Sequence, residues 1–205
     1  MTTHAIIGTG KAARALAVLF HRQRLPVMIA SRRGVDHAAA MIKDLDACVT
    51  AASMLEAFSM DVIFFAVPFP AFESVASLYP FWEGQVIVDM TNRCAAPGAV
   101  VEEREAGLSS SELNARFVRG AKLVKAFNSI PVDLLLQPVR ADGYRRALLV
   151  CSDAPEASCV VAELAFRLGF LAVELGSLAA GDRVAQLASG LSLEAFIKHR
   201  RNPDS

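Results

Sequence analysis

Short apolar runs alternate along this chain with stretches whose apolar residues return every three or four positions. His4-Ala5-Ile6-Ile7 predicts a first strand, and the spacing from Lys11 to about Gln23 predicts a helix. Pro26 precedes a second strand, Val27-Met28-Ile29-Ala30, and the Ala-rich stretch from Val35 to Leu45 reads as the helix after it. Ala47 to Thr50 reads as a short third strand, and Ser53 as the cap of a helix through Phe58. Val62 to Val67 is β-branched and aromatic, the pattern of a strand buried on both faces. Gln85 to Met90 repeats that pattern, with a helix over about Ala71 to Leu78 between the two.

The second half continues the alternation. Ser109 starts a helix to about Val118, and Lys122 to Asn128 and Ala147 to Cys151 read as strands. Asp153 is the expected cap, and Pro155 the expected first-turn residue, of a helix reaching Arg167 and closed by Gly169. Phe170 to Leu175 is the last predicted strand, and Gly181 to about His199 carries a final helical pattern. Arg93 to Gly107 reads as a solvated loop, and residues 200–205 as a frayed tail.

This alternation predicts an α/β fold: a Rossmann-type, doubly wound, mostly parallel sheet with helices on both faces. The expected organisation is a single domain over residues 1–205, with a C-terminal helical segment at about 181–200. Hydrophobic residues make up 54% and charged residues 20%, and 21 Lys+Arg balance 21 Asp+Glu. That balance argues against a nucleic-acid binder or a disordered chain. Cys48, Cys94, Cys151 and Cys159 lack CxxC spacing, no signal-peptide pattern is present, and the longest apolar stretch is too short to span a bilayer. The expectation is therefore a cytoplasmic protein with free thiols, no bound metal and no membrane segment. Cys48 and Cys151, in apolar runs, read as small buried hydrophobes.

Candidate chemistry begins where the first strand meets the first helix. Gly8-Thr9-Gly10-Lys11-Ala12-Ala13 is a Gly-x-Gly-x-x-Ala fingerprint in the strand–turn–helix context that a dinucleotide site requires. Gly8 allows the turn, Gly10 lets the pyrophosphate approach the backbone, and Ala13 keeps helix and strand close. In such sheets ligands bind beyond the carboxyl ends of the strands. The second strand end offers Ser31-Arg32-Arg33, with no carboxylate to accept the ribose hydroxyls of NAD. Its hydroxyl and guanidinium donors favour the 2′-phosphate of NADP(H).

Together with Ala66-Val67-Pro68, Val88-Asp89-Met90-Thr91-Asn92, Val124-Lys125-Ala126-Phe127-Asn128 and Leu175-Gly176-Ser177-Leu178, these motifs give a chain that resembles the NADPH-dependent coenzyme F420 reductase family. It is also similar to the NADPH-binding domain of the STEAP metalloreductases. The resemblance implies hydride transfer between NADPH and coenzyme F420 or a flavin (FMN or FAD). It places Thr9 to Ala12 at the pyrophosphate, Ser31 and Arg32 at the 2′-phosphate, and Ala66 to Pro68 along the nicotinamide ribose. Ala126, Phe127 and Asn128 fall where nicotinamide and acceptor meet, and a homodimer is expected.

Three further site expectations come from position along the chain. Arg33 adds to the 2′-phosphate group, and Phe69 and Asn92 lie at strand ends on the ligand rim. Phe64, Phe65, Phe72, Tyr79, Phe81 and Trp82 read mostly as core. No histidine maps to the rim, and Asp89 reads as a strand-end carboxylate accepting loop N–H groups. No catalytic acid is assigned, because hydride transfer to a ring is chiefly a matter of positioning. Two other readings are an NADP(H)-binding sensor without catalysis and a reductase of small imines or carbonyls, which would want a proton donor near the nicotinamide.

Overall fold

The computed structural model describes residues 2–93, 107–137, 144–190 and 196–198. Five parallel strands and the helices between them form the first half: β1 (His4–Ile7), α1 (Lys11–Arg22), β2 (Val27–Ala30), α2 (Val35–Ile42), β3 (Val49–Ala52), α3 (Met54–Phe58), β4 (Val62–Phe65), a 3-10 turn (Phe69–Ala71), α4 (Phe72–Ala76) and β5 (Val86–Asp89). The second half adds α5 (Ser110–Ala115), β6 (Lys122–Ala126), α6 (Val132–Leu135), β7 (Tyr144–Ser152), α7 (Pro155–Arg167), β8 (Phe170–Glu174), α8 (Leu178–Gly190) and β9 (Phe196–Lys198).

The strands lie in the order β3-β2-β1-β4-β5-β6-β7-β8, with β9 pairing β7. Pairing is parallel from β3 through β6, β7 enters antiparallel to β6, and β8 returns parallel to β7. The order reverses at β1 and β4, and the carboxyl ends of β1, β2, β4, β5 and β6 share one rim.

Alternation along the buried strands feeds two cores. Ile6, Phe64, Val88 and Val124 pack under α1, α2 and α7, with Leu16 and Phe20 of α1 wholly buried among them. Ile7, Phe65, Ile87 and Leu123 face the other way, against α3, α4 and Leu178 of α8. Each such large side chain contributes roughly 1.5–3 kcal/mol by leaving water. The aromatic cluster is core for Phe64, Phe65, Phe72 and Trp82, whereas Phe81 is 70% exposed.

Several expected boundaries move for local reasons. The third strand begins at Val49, because Asp46 forms a turn in which its carbonyl accepts from Val49 N and its carboxylate from Cys48 N. Asp153 is not a cap: Ala154 holds that position, and the Asp153 carboxylate accepts from Leu178 N, at the start of α8. α8 runs over Leu178–Gly190 rather than reaching His199, and residues 196–198 form a strand on β7. The expected loop at 93–107 falls largely outside the described residues, as do Cys94, His199 and the tail.

His4 gives a pH-dependent stability. Its ring is buried beside Phe20, with Nδ1–H donating to Pro26 O at 3.1 Å, and burial pushes its pKa below 6.5. A folded-state pKa below the unfolded value means that the unfolded chain takes up the proton first. This contribution is present above about pH 6.5 and is lost as pH falls toward the folded pKa. The urea midpoint should drop between about pH 7 and 5, and His4→Phe should flatten that step. An equally steep fall in the variant would remove His4 as its source.

Candidate functional site

Gly8 stands at φ +126°, and a Cβ there would lie 2.4 Å from Ala66 O, so backbone from β4 closes over the turn where a side chain would be. Its N–H donates to Ala30 O at 2.9 Å. Gly10 is the N-cap of α1 and is extended at φ −79° and ψ −178°, with no atom within 4 Å of the place a Cβ would take. No side chain caps α1 and no acidic residue sits in its first turn. The first-turn N–H groups have no intrahelical acceptor, and the dipole there favours an anion. Lys11 and Ala12 border this turn, and Ala13 is wholly buried against the sheet.

Thr9 introduces a partner that the sequence reading placed elsewhere. Its Oγ1 lies 3.1 Å from His37 Nε2 on α2, so one histidine does stand at the ligand rim, bridging the fingerprint to the turn after β2. In that turn Ser31 is buried, its Oγ accepting from Arg33 N at 3.2 Å and its carbonyl from Gly34 N at 3.0 Å. Arg32 and Arg33 are exposed. Arg32 Nη1 donates to Ser74 Oγ on α4 at 2.9 Å, which holds the guanidinium across the rim.

The other side of the rim is built from β4, β5 and β6. Ala66 and Val67 are half-buried, Pro68 leads into the 3-10 turn, and the Arg93 guanidinium lies 5.7 Å above the Phe69 ring. β6 ends at Ala126 because Phe127 turns out of the strand at φ +65°, a left-handed conformation rare for a bulky side chain. The Phe127 ring is locked edge-on to Phe64 and Phe170, each at 5.7 Å. Asn128 follows directly. Its Nδ2 donates to Asn92 Oδ1 at 2.9 Å, and Asn92 Nδ2 donates back to Asn128 O at 2.9 Å.

Beneath these asparagines lies a group the sequence reading missed. Lys125 is wholly buried and sits directly opposite Asp89 in the β5–β6 register. Its ammonium reaches Asp89 Oδ2 at 3.1 Å, Asp182 Oδ1 of α8 at 3.6 Å and Thr91 O at 2.5 Å. Asp89 also accepts from Ser111 Oγ, Asn114 Nδ2 and, as expected for a strand-end carboxylate, Thr91 N. Asp182 accepts from Ser110 Oγ and Ser111 N. The cluster pins α5 and α8 to the ends of β5 and β6. A lysine and an aspartate, each near the end of an otherwise apolar strand, were its sequence signal.

Other polar groups sit at the opposite end of the sheet. His21 Nδ1 and the Cys48 Sγ–H both meet Asp46 Oδ1, at 3.0 and 2.9 Å. Cys48 is therefore half-buried and hydrogen-bonded, not the small core hydrophobe expected, and burial with that carboxylate beside it raises the thiol to about 11. Cys151 is buried as expected, its thiol raised to about 12, chiefly by burial. No helix among the described residues is long and apolar enough to cross a membrane.

Residues 3–93, from β1 through the β5 end, match the family of NADP oxidoreductases, coenzyme F420-dependent. Over those residues, the first five strands of the sheet, the chain is similar to that family. A hypothetical protein of Sinorhizobium meliloti is 33% identical and superposes with a TM-score of 0.88 over 96% of both chains. Metalloreductase STEAP3 of Rattus norvegicus is 30% identical over 184 residues, which are 87% of this chain and 35% of that protein. The chain thus spans about a third of the length of that relative. A candidate F420-dependent NADP reductase from Arthrobacter sp. FB24 shares the fold at 20% identity, with a TM-score of 0.68 over 93% of this chain and 90% of that one.

Proposed function

We propose that this chain is an NADP(H)-dependent oxidoreductase that holds NADPH along the carboxyl rim and passes its hydride to a planar ring acceptor of the deazaflavin (F420) or flavin type. The observation that carries the reading is the rim's division of labour. A capless helix start lies beside a turn bearing a hydroxyl and two guanidinium groups. The residues fit the cofactor: Gly10 leaves room at the backbone, and Gly8 through Ala12 can hold the pyrophosphate on free N–H groups. Ser31, Arg32 and Arg33 supply charge-assisted donors for the 2′-phosphate. Ala66, Val67 and Pro68 would line the nicotinamide ribose, and Ala126, Phe127 and Asn128 would seat the nicotinamide, with Phe69 and Asn92 beside it.

The bound nicotinamide supplies the hydride. The chain's own work is to bind and orient it, because the cofactors carry the chemistry and the protein supplies position and electrostatics. That chemistry needs no side-chain acid at the transferring carbon. The reading is tested by following NADPH oxidation with F420, FMN, FAD and ferric chelates in turn. Turnover with F420 or a flavin is expected. Tight NADPH binding with no turnover on any acceptor would overturn the reductase reading in favour of a sensor.

A further inference from the structure

At the end of the sheet away from the rim, three side chains of different chemistry converge on one point. His21 lies in the last turn of α1, and Asp46 and Cys48 lie in the turn that leads into β3. His21 Nδ1 and Cys48 Sγ stand 3.0 and 2.9 Å from the same oxygen, Asp46 Oδ1, and the three atoms lie within 4.8 Å of one another. The backbone that carries them is tied down on both sides. Val27 N, at the start of β2, donates to Cys48 O at 2.9 Å, Val49 N donates to Asp46 O at 3.1 Å, and Arg24 N donates to His21 O at 3.0 Å.

An imidazole nitrogen, a carboxylate oxygen and a thiolate sulfur are the ligands of a borderline-soft divalent ion, whereas Mg2+ and Ca2+ take oxygen alone. A tetrahedral Zn2+ holds N and O at about 2.0–2.2 Å and S at about 2.3 Å, which sets neighbouring ligand atoms roughly 3.3–3.6 Å apart. Opening each contact on Asp46 Oδ1 by roughly half an ångström reaches that geometry, a shift within the range of side-chain torsions. The carboxylate and a thiolate together match the two positive charges of the ion. The His21 and Asp46 side chains are 31% and 61% exposed, so an ion can enter from solvent and keep a water as its fourth ligand.

We infer that His21, Asp46 and Cys48 form a Zn2+ site, separate from the nucleotide rim, that fastens the end of α1 to the entry of the edge strand β3. Binding would release the Cys48 thiol proton to solvent and leave the imidazole proton on Nε2, with Nδ1 on the metal. The sequence reading expected no metal because CxxC spacing is lacking. Here the ligands come from two segments, with His21 and Asp46 25 positions apart, and only the fold joins them. The inference does not depend on the cofactor placement proposed above.

The test uses the reduced full chain, freed of metal by a chelator, with Co2+ as the visible stand-in for Zn2+. An equivalent of Co2+ should bring up a near-ultraviolet thiolate-to-cobalt band and the visible absorption of a tetrahedral ion, and Zn2+ should bleach both. Cys48→Ser should lose the near-ultraviolet band although Cys94, Cys151 and Cys159 remain, and His21→Ala should lose the tetrahedral absorption. Zn2+ should raise the thermal midpoint of wild type and of neither variant, and the metal-free melts report that the variants fold. In wild type itself, Zn2+ should slow alkylation of Cys48 by iodoacetamide, mapped by mass spectrometry, and leave the exposed Cys159 reacting as before. A wild-type Co2+ spectrum without the thiolate band, a band that survives in folded Cys48→Ser, or Cys48 alkylated as fast with Zn2+ as without it would each overturn the inference.

Discussion

Replacing Lys125 with Met should cost on the order of 3–5 kcal/mol of folding stability, the typical price of breaking a buried ion pair from one side. The methionine matches the length of the lysine stem, so little packing is lost. What changes is charge: Asp89 and Asp182, both wholly buried, lose the ammonium that lies 3.1 and 3.6 Å away. Hydrogen bonds from Thr91, Ser111, Asn114 and Ser110 remain, but they do not replace a cation. Urea unfolding should show the loss as a lower midpoint with an unchanged slope. Adding Asp182→Asn to the Met variant should recover part of it, since one of the two buried carboxylates that faced the ammonium loses its charge. A Met variant within about 1 kcal/mol of wild type would mean that the cluster is not a charged one.

Arg32→Ala should weaken NADPH binding by on the order of 1.5–3 kcal/mol, roughly ten- to 150-fold, and leave NADH nearly untouched. The guanidinium is tethered to Ser74 at 2.9 Å, so less side-chain entropy is lost when it takes up a phosphate. Arg33 lacks such a tether among the hydrogen bonds of the described residues, and its backbone N–H instead braces Ser31. Fluorescence titration of both nucleotides on wild type and variant decides the matter. Equal losses for NADPH and NADH would show that the 2′-phosphate is not read at this turn.

How much of this could be read from the sequence follows from the range of the interactions. Strand–turn–helix order around Gly8 and Gly10, the basic turn at Ser31-Arg32-Arg33 and the buried β4 and β5 are local patterns, and the alternation of elements carries the fold class. Phe127 ends β6 early through a backbone torsion that no propensity signals. The Lys125 cluster joins β5, β6, α5 and α8, residues up to 93 positions apart between Asp89 and Asp182. Strand register sets Asp89 beside Lys125, and the packing of α5 and α8 on the sheet adds the rest. His37 shows the same limit: it reads as an ordinary helix residue until the turn after β2 folds back and sets it against Thr9. The Asn92–Asn128 lock is intermediate, because both residues are visible as strand ends and only their pairing is hidden.

The proposed nucleotide rim runs from Ser31-Arg32-Arg33 past the fingerprint to Asn128 and would hold an extended NADP(H). It is tested most directly by a crystal structure of the full chain grown with NADPH. The expected map shows the 2′-phosphate at Ser31, Arg32 and Arg33, the pyrophosphate on the first turn of α1, and the nicotinamide against Asn128. Nucleotide bound instead at the amino ends of the strands, in the groove of about 590 Å³ lined by Asp61, Glu83, Gln85 and Lys122, would contradict it.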